Sequence, residues 1–159
     1  MNQRLGWRRT IGFGGLRVGA SILVGSMLVG CEGTLPPPSD PELREELGIA
    51  DHIPIHQVLL SGRGDHTRVL PAYLEIRSGD IVQFRVMDRR VHQVRFVEES
   101  LALPHRDFLE STGQLRFPPL TEQDARLVLT FEGAPAGDYP FIVEGYGEPR
   151  EGRIVITES

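Results

Sequence analysis

The sequence contains a single cysteine, and this scarcity excludes disulfide chemistry within the chain. One cysteine cannot form an internal disulfide bond, and Cys31 precedes the part of the sequence that has a folding pattern. The length of 159 residues allows one domain and a targeting segment. With 40% hydrophobic but only 7% aromatic residues, a domain of roughly 110 residues can bury a modest single core.

Lysine is absent, so all 17 basic residues are arginines. We attribute this to genome composition rather than to function. Four arginines precede Cys31 and no acidic residue does, whereas the rest of the chain has 13 arginines and 22 acidic residues, a net charge of −9. Because an acidic domain repels nucleic acid, we expect no nucleic-acid partner.

The sequence also lacks an apolar run long enough to cross a bilayer. The run at residues 18–30 has 13 residues after a basic start, whereas a spanning helix needs about 20. This pattern is typical of a signal peptide. The run ends in Leu28-Val29-Gly30-Cys31, which resembles the bacterial lipobox. Residues 1–30 are therefore predicted to be a signal peptide and Cys31 the lipid-modified residue.

Two alternatives stay open for this segment. An uncleaved anchor helix over residues 10–30 would place Arg17 and several glycines in the membrane, which is unfavourable. The pair Arg8-Arg9 with Ile11 resembles a twin-arginine export signal, although we favour an ordinary basic region. In each case we expect a membrane-anchored protein on the periplasmic, or extracytoplasmic, side.

Residues 31–50 are predicted to form a tether with one short helix. Three consecutive prolines at 36–38 favour an extended polyproline conformation. Asp40 has the chemistry of an N-cap, Pro41 suits the first helical position, and Gly48 is a typical C-terminal stop. The helix is interpreted as a spacer.

Residues 51–159 are predicted to form an all-β domain. Period-two alternation of apolar residues predicts strands at 53–60, 73–77, 81–87, 91–97, 127–132, 138–144 and 153–157. A short helix is predicted at 104–113, between Pro104 and Gly113. Turns roughly every ten residues indicate an antiparallel sandwich or a small barrel.

Three segments in a fixed order resemble the cupredoxins, the blue-copper electron carriers and their relatives. They are Ser78-Gly79-Asp80-Ile81-Val82-Gln83-Phe84, Val91-His92-Gln93-Val94-Arg95-Phe96, and a third that runs from Ala136 to Ile156. The resemblance covers residues 52–157. It implies a cupredoxin-like Greek-key β-sandwich of seven or eight strands with one or two short helices. It also implies a copper position at one end, with one His ligand followed by a Cys, a His and usually a Met in the last loop.

The resemblance places these four ligands at His92, Val143, Tyr146 and Arg150. Only His92 keeps its chemistry, and its alternation with Val94 puts it on the inner face of a strand. A type 1 copper centre needs a thiolate, and Arg150 would add a positive charge beside a cation. The resemblance therefore implies that type 1 copper is lost, and we expect no cofactor. We expect His92 to bond Tyr146 or a backbone carbonyl, with Arg150 beside them, as a polar plug.

The other histidines give no clear replacement site. His52 and His56 are separated by four residues of apparent strand, a distance of about 13 Å. His66 is predicted to lie in a turn and His105 on a short helix. We expect them to be solvated and to form no metal site.

A charged cluster of Asp88, Arg89, Arg90 and His92 precedes the fourth predicted strand. It is interpreted either as a solvated turn or as a docking patch, because the resemblance implies that partners bind at the copper end. We expect no enzyme, but a non-redox accessory subunit of a membrane complex, such as an electron-transport or photosynthetic one by analogy. The alternative is a copper carrier or store that uses His92.

Overall fold

The computed structural model of the protein describes residues 40–158. These residues form eight strands, β1 Ile55–Arg63, β2 His66–Leu70, β3 Tyr73–Arg77, β4 Ile81–Val86, β5 Gln93–Phe96, β6 Arg126–Thr130, β7 Gly137–Glu144 and β8 Arg150–Thr157. Two helices, α1 Pro41–Leu47 and α2 Leu103–Ser111, and one 3-10 turn, Glu98–Ser100, complete the described part. The predicted signal peptide, the predicted lipidation site Cys31 and the predicted proline-rich tether lie outside the described residues.

The strands form two four-stranded sheets. The first has the order β2-β1-β4-β6 and the second the order β3-β8-β7-β5. Each sheet contains one parallel pair, β1 with β4 and β3 with β8, and the other pairs are antiparallel. The expectation of a purely antiparallel sandwich was therefore incomplete. Within residues 40–158 no helix has the length and apolar character needed to cross a membrane.

The core lies between the two sheets and is built from alternate residues of each strand. Strand β4 contributes Val82, Phe84 and Val86, all 0% exposed, which is the inward face predicted from the alternation. Aromatic rings fill much of this space: Phe84 meets Phe141 edge to face at 5.2 Å between centroids. Such pairs stabilise a core beyond the effect of the apolar area alone.

Helix α1 covers the outer face of the first sheet. Asp40 is its N-cap and accepts a hydrogen bond from the Leu43 N–H at 3.0 Å, and Gly48 ends it in the left-handed conformation, as predicted. Leu43 is 2% exposed and packs against Ile55 and Ile81. The helix is thus part of the folded domain and more than a spacer.

Polar contacts reinforce this packing. The Asp40 carboxylate accepts a hydrogen bond from the Gln83 side chain at 3.2 Å, and Arg126 forms ion pairs with Glu42, Glu46 and Asp40. Burial favours a higher pKa for Asp40, but these hydrogen bonds and charges outweigh it and the pKa lies below its usual value. Gln83 lies on the face of β4 opposite to Val82 and Phe84, and it is 0% exposed because α1 covers that face.

Strand β2 was not predicted from the sequence. His66, Arg68 and Leu70 point outward, and Thr67 and Val69 are buried. With only one strongly apolar residue on its inner face, the segment carried a weak period-two signal. The prediction that His66 lies in a turn was wrong: it is the first residue of β2.

The packing of α1 predicts unequal effects for its two leucines. Leu43→Ala removes a buried side chain and is expected to lower the free energy of unfolding by about 2 kcal/mol. Leu47 lies on the same helix but is 50% exposed, so Leu47→Ala is expected to change it by less than about 0.5 kcal/mol. Urea denaturation measures both. Equal effects would mean that the helix does not pack as described.

Candidate functional site

Three chain segments meet at one end of the sandwich, which we call the pole: residues 62–67, 87–92 and 145–150. Backbone hydrogen bonds join the β1–β2 turn to the last loop, since the Glu148 N–H donates to the Asp65 carbonyl at 2.7 Å. The Gly62 N–H donates to the Asp88 carboxylate at 2.6 Å, and the Arg90 guanidinium donates to the Gly64 carbonyl at 2.8 Å. The pole is therefore a bonded unit of three segments.

Gly147 allows the closest of these approaches. Its φ of +116° is a backbone conformation that other L-residues rarely adopt, and a Cβ at this position would overlap the Asp65 carbonyl. The glycine is thus required by backbone contact between the last loop and the β1–β2 turn.

His92 lies at the centre of the pole and is 1% exposed. Its inward orientation was predicted from its alternation with Val94, and the structure confirms it. Its Nε2 lies 2.9 Å from the Asp88 carboxylate oxygen Oδ1. The ring is thus held by the side chain four residues before it.

Asp88 is the anchor of this arrangement. Besides the contact with His92, it accepts hydrogen bonds from the backbone N–H groups of Gly62 and Arg90, at 2.6 and 3.1 Å. Burial acts to raise the pKa of Asp88, but these bonds and the charge of His92 outweigh it, so that the pKa lies below the usual value. Asp88 is therefore a carboxylate at neutral pH, and the His92 Nε2–H is the donor in their bond.

The second ring nitrogen of His92 is buried without a partner. Nδ1 has no hydrogen-bond partner among residues 40–158. It faces Gly145, where an added Cβ would lie 3.4 Å from Nδ1, 3.4 Å from the Thr67 hydroxyl and 3.0 Å from the Val91 carbonyl. The chain packs closely here because residue 145 has no side chain.

The other three positions implied by the cupredoxin resemblance offer no set of copper ligands. Val143 is 0% exposed and lies opposite Val94 in the β5–β7 pair. Tyr146 is 77% exposed, and Arg150 is an exposed residue at the start of β8. With no thiolate and one imidazole, the four positions that the resemblance implies do not fit a type 1 copper ion.

The expected polar plug of His92, Tyr146 and Arg150 was wrong. His92 bonds Asp88 instead of Tyr146, because the Tyr146 side chain is exposed to solvent and does not point into the pole. The Arg90 guanidinium lies over that ring, 6.0 Å from its centroid. The role of Asp88 as the partner of His92 was missed because the sequence showed it only as one charge in a turn.

The predicted docking patch divides between the surface and the interior. Arg89 is exposed and Arg90 partly so, whereas His92 is buried and Asp88 is engaged by it. His92 therefore cannot contact a partner directly. Exposed apolar side chains lie beside the two arginines: Met87 is 43%, Val91 49% and Tyr146 77% exposed.

A shallow depression accompanies these side chains. Its volume is about 570 Å³ and its lining residues are Arg90, Val91, Gln93, Glu144, Gly145 and Tyr146. The pole thus combines exposed apolar groups, arginines and a concave surface, the features from which protein interfaces are built.

The remaining histidines lie apart from the pole centre or on its surface. His56 contacts Asp80 at 2.8 Å, and His66 is exposed between Asp65 and Glu148. His105 packs on the Tyr139 ring and contacts the Ala136 carbonyl. Among residues 40–158, no three or more His, Cys, Asp or Glu side chains are grouped so that they could hold a metal ion.

No protein-family model matches the sequence, and no curated protein does. Among solved structures, the oxidized form of plastocyanin from Dryopteris crassirhizoma is 12% identical with a TM-score of 0.48, covering 64% of this chain and 99% of that one. A purple cupredoxin from Nitrosopumilus maritimus is 16% identical with a TM-score of 0.42, covering 64% and 99%. A Cu-containing nitrite reductase from Thermus scotoductus is 21% identical with a TM-score of 0.48, covering 67% and 23%.

All three TM-scores are below 0.5, so the fold is argued from the strands of this chain and not from these similarities. The predicted fold class is confirmed: the described domain is a cupredoxin-like β-sandwich of eight strands in two sheets, with two short helices. Copper binding and electron transfer are not carried over to this chain by similarity of fold.

The bonds of Asp88 predict an acid-sensitive pole. Because its pKa in the folded state is below the usual value of 3.8, its carboxylate stabilises the fold above that pH, and this contribution is lost as the pH falls through the folded-state pKa. Asp88→Asn is expected to lower the free energy of unfolding by about 1–3 kcal/mol at pH 7. Between pH 5 and 3 the variant is also expected to lose less stability than the wild type, because it lacks a carboxylate whose protonation causes part of that loss.

Asp65→Asn is the matched control, because the Asp65 side chain is 79% exposed at the same pole. Its effect should stay within about 0.5 kcal/mol. Urea denaturation across this pH range measures both variants. An Asp88→Asn protein with the stability and pH dependence of the wild type would contradict the assignment.

Proposed function

We propose that this protein is a membrane-anchored, extracytoplasmic interaction module without redox chemistry. It is an accessory subunit of a membrane complex, with the pole as the docking surface and Cys31 as the lipid attachment site. We propose no catalytic activity and no resident copper ion. The type of complex, electron-transport or photosynthetic, is an analogy from the fold.

One observation carries this proposal. At the pole His92 is fixed by Asp88, Val143 is part of the hydrophobic core, and Tyr146 points outward. These three residues do not offer a set of copper ligands, since the histidine is bonded and the valine is buried. The exposed tyrosine is available to a partner. Tyrosine and arginine are the residues that most often dominate the binding energy of an interface.

A specific observation also supports the alternative function of copper transport or storage. The buried Nδ1 of His92 has no hydrogen-bond partner among the described residues, and imidazole nitrogen is a good copper ligand. A single nitrogen is a weak site, however, because protein copper sites combine several ligands. We therefore place this function second.

A copper titration separates the two functions. If the proposed function is correct, the wild-type protein binds copper with a micromolar or weaker Kd, and His92→Ala leaves that Kd unchanged. The measurement is isothermal titration with Cu(II), and with Cu(I) under a competing chelator. His66→Ala is the control for weak surface binding, since His66 is exposed beside two carboxylates. Sub-micromolar binding that His92→Ala abolishes would establish the alternative.

The membrane anchor is tested separately at Cys31. Growth of a bacterial host on labelled palmitate is expected to label the wild-type protein, whereas Cys31→Ser should remain unlabelled and unprocessed. The shift in gel mobility and the N-terminal mass of the mature chain measure the cleavage. A membrane-bound, unlabelled wild-type chain that retains residues 1–30 would show the alternative of an uncleaved anchor helix.

A further inference from the structure

The arginines of the pole differ from most of the others in the domain. Elsewhere, six arginines form ion pairs with carboxylates, namely Arg85, Arg95, Arg106, Arg116, Arg126 and Arg153. At the pole and directly beside it, four exposed arginines form no ion pair with any of residues 40–158, namely Arg63, Arg68, Arg89 and Arg150. Arg90 approaches Asp88 at 4.0 Å and otherwise donates to a backbone carbonyl. The guanidinium groups at this end are therefore available.

The acidic side chains of the pole, in contrast, are engaged. Asp88 holds His92, and Glu144 forms an ion pair with Arg95 at 2.9 Å. Asp65 and Glu148 both contact His66, at 3.2 and 3.3 Å. Each acidic group of this end thus has a contact within the domain, although Asp65 and Glu148 stay 79% and 78% exposed, whereas the four arginines have no acidic contact among the described residues.

This arrangement contrasts with the charge of the rest of the domain. The described residues include 13 arginines and 21 acidic residues. Five of these arginines and four of the acids belong to the pole and its edge, so that the other end and the sides have eight arginines and 17 acids. The pole is the electropositive end of an acidic domain, which orients it toward negative charge.

The centre of this end is apolar. The exposed faces of Val91 and Tyr146 border the depression of about 570 Å³, and Arg90 lies at its edge. A concave apolar centre with a charged rim can accept a protruding side chain. A lipid headgroup layer offers no such protruding side chain. These features favour a protein partner.

We propose that the pole binds a protein surface that presents carboxylates around an apolar side chain. This inference rests on the proposed function and specifies the chemistry of its partner. The partner's Asp and Glu side chains pair with Arg63, Arg68, Arg89 and Arg150, and its apolar group contacts Tyr146. Arginine suits this role because its planar guanidinium bonds a carboxylate with two parallel hydrogen bonds.

The absence of lysine makes a direct test possible. Because the chain has no side-chain amine, Arg89→Lys or Arg150→Lys introduces a single one and keeps the charge. A carbodiimide then forms an amide bond between this amine and a carboxylate in direct contact with it. Full-length variants in native membranes are treated with the reagent, and the products are mapped by peptide mass spectrometry.

Arg77→Lys is the matched control. Arg77 is exposed and also forms no ion pair with a described residue, but it lies beside Thr157, at the end of β8 opposite to Arg150. We expect both pole variants to be coupled to Asp or Glu side chains of one partner, with at least tenfold less product from Arg77→Lys. Equal coupling from all three variants, or coupling from none, would overturn the proposal.

A photoreactive benzophenone amino acid in place of Tyr146 distinguishes the failure of this inference from the failure of the proposed function. If it crosslinks to a protein while the pole variants couple to no carboxylate, the interaction module stands and the acidic partner is wrong. If it crosslinks to no protein, the interaction module is also wrong. Crosslinking to phospholipid would show that the pole lies on the bilayer, which overturns the acidic protein partner.

Discussion

The hydrogen bond between the buried His92 and Asp88 is the interaction on which the pole depends. The same carboxylate accepts the Gly62 and Arg90 N–H groups, so that one side chain joins the β1–β2 turn, the loop before β5 and the histidine. A buried imidazole without this partner would have a nitrogen donor unsatisfied in an apolar environment, which is costly. The backbone of the last loop can close over the ring because Gly145 has no side chain and Gly147 can adopt a positive φ.

Because the pole is closed in this way, some of its side chains are buried and others are exposed to solvent. Val143 belongs to the core, and Tyr146 and the neighbouring arginines are turned outward. The buried side chains of the pole stabilise the fold, and its exposed side chains form the proposed docking surface. The ion pairs follow a related pattern, because the acids of this end contact His66, His92 or Arg95, whereas its four exposed arginines contact no acid among residues 40–158.

Much of the fold could be predicted from the sequence where the signals are local. The bounds of β3 and both ends of α1 follow from alternation, from the Asp40 cap and from the Gly48 stop. The inward direction of His92 follows from its alternation with Val94. What could not be predicted depends on contacts between distant segments: the burial of Gln83 under α1, the pairing of β2 with β1, and the choice of Asp88 over Tyr146 as the partner of His92. The sequence lists these residues, but only the folded chain determines which of them meet.

One measurement tests most directly whether the domain acts as a protein-binding module without copper. The protein is purified from native membranes in a mild detergent, and the co-purifying proteins and bound metals are determined in the same sample. The account predicts a stoichiometric membrane complex in which this chain carries no copper. A chain that purifies alone with about one equivalent of copper would contradict it.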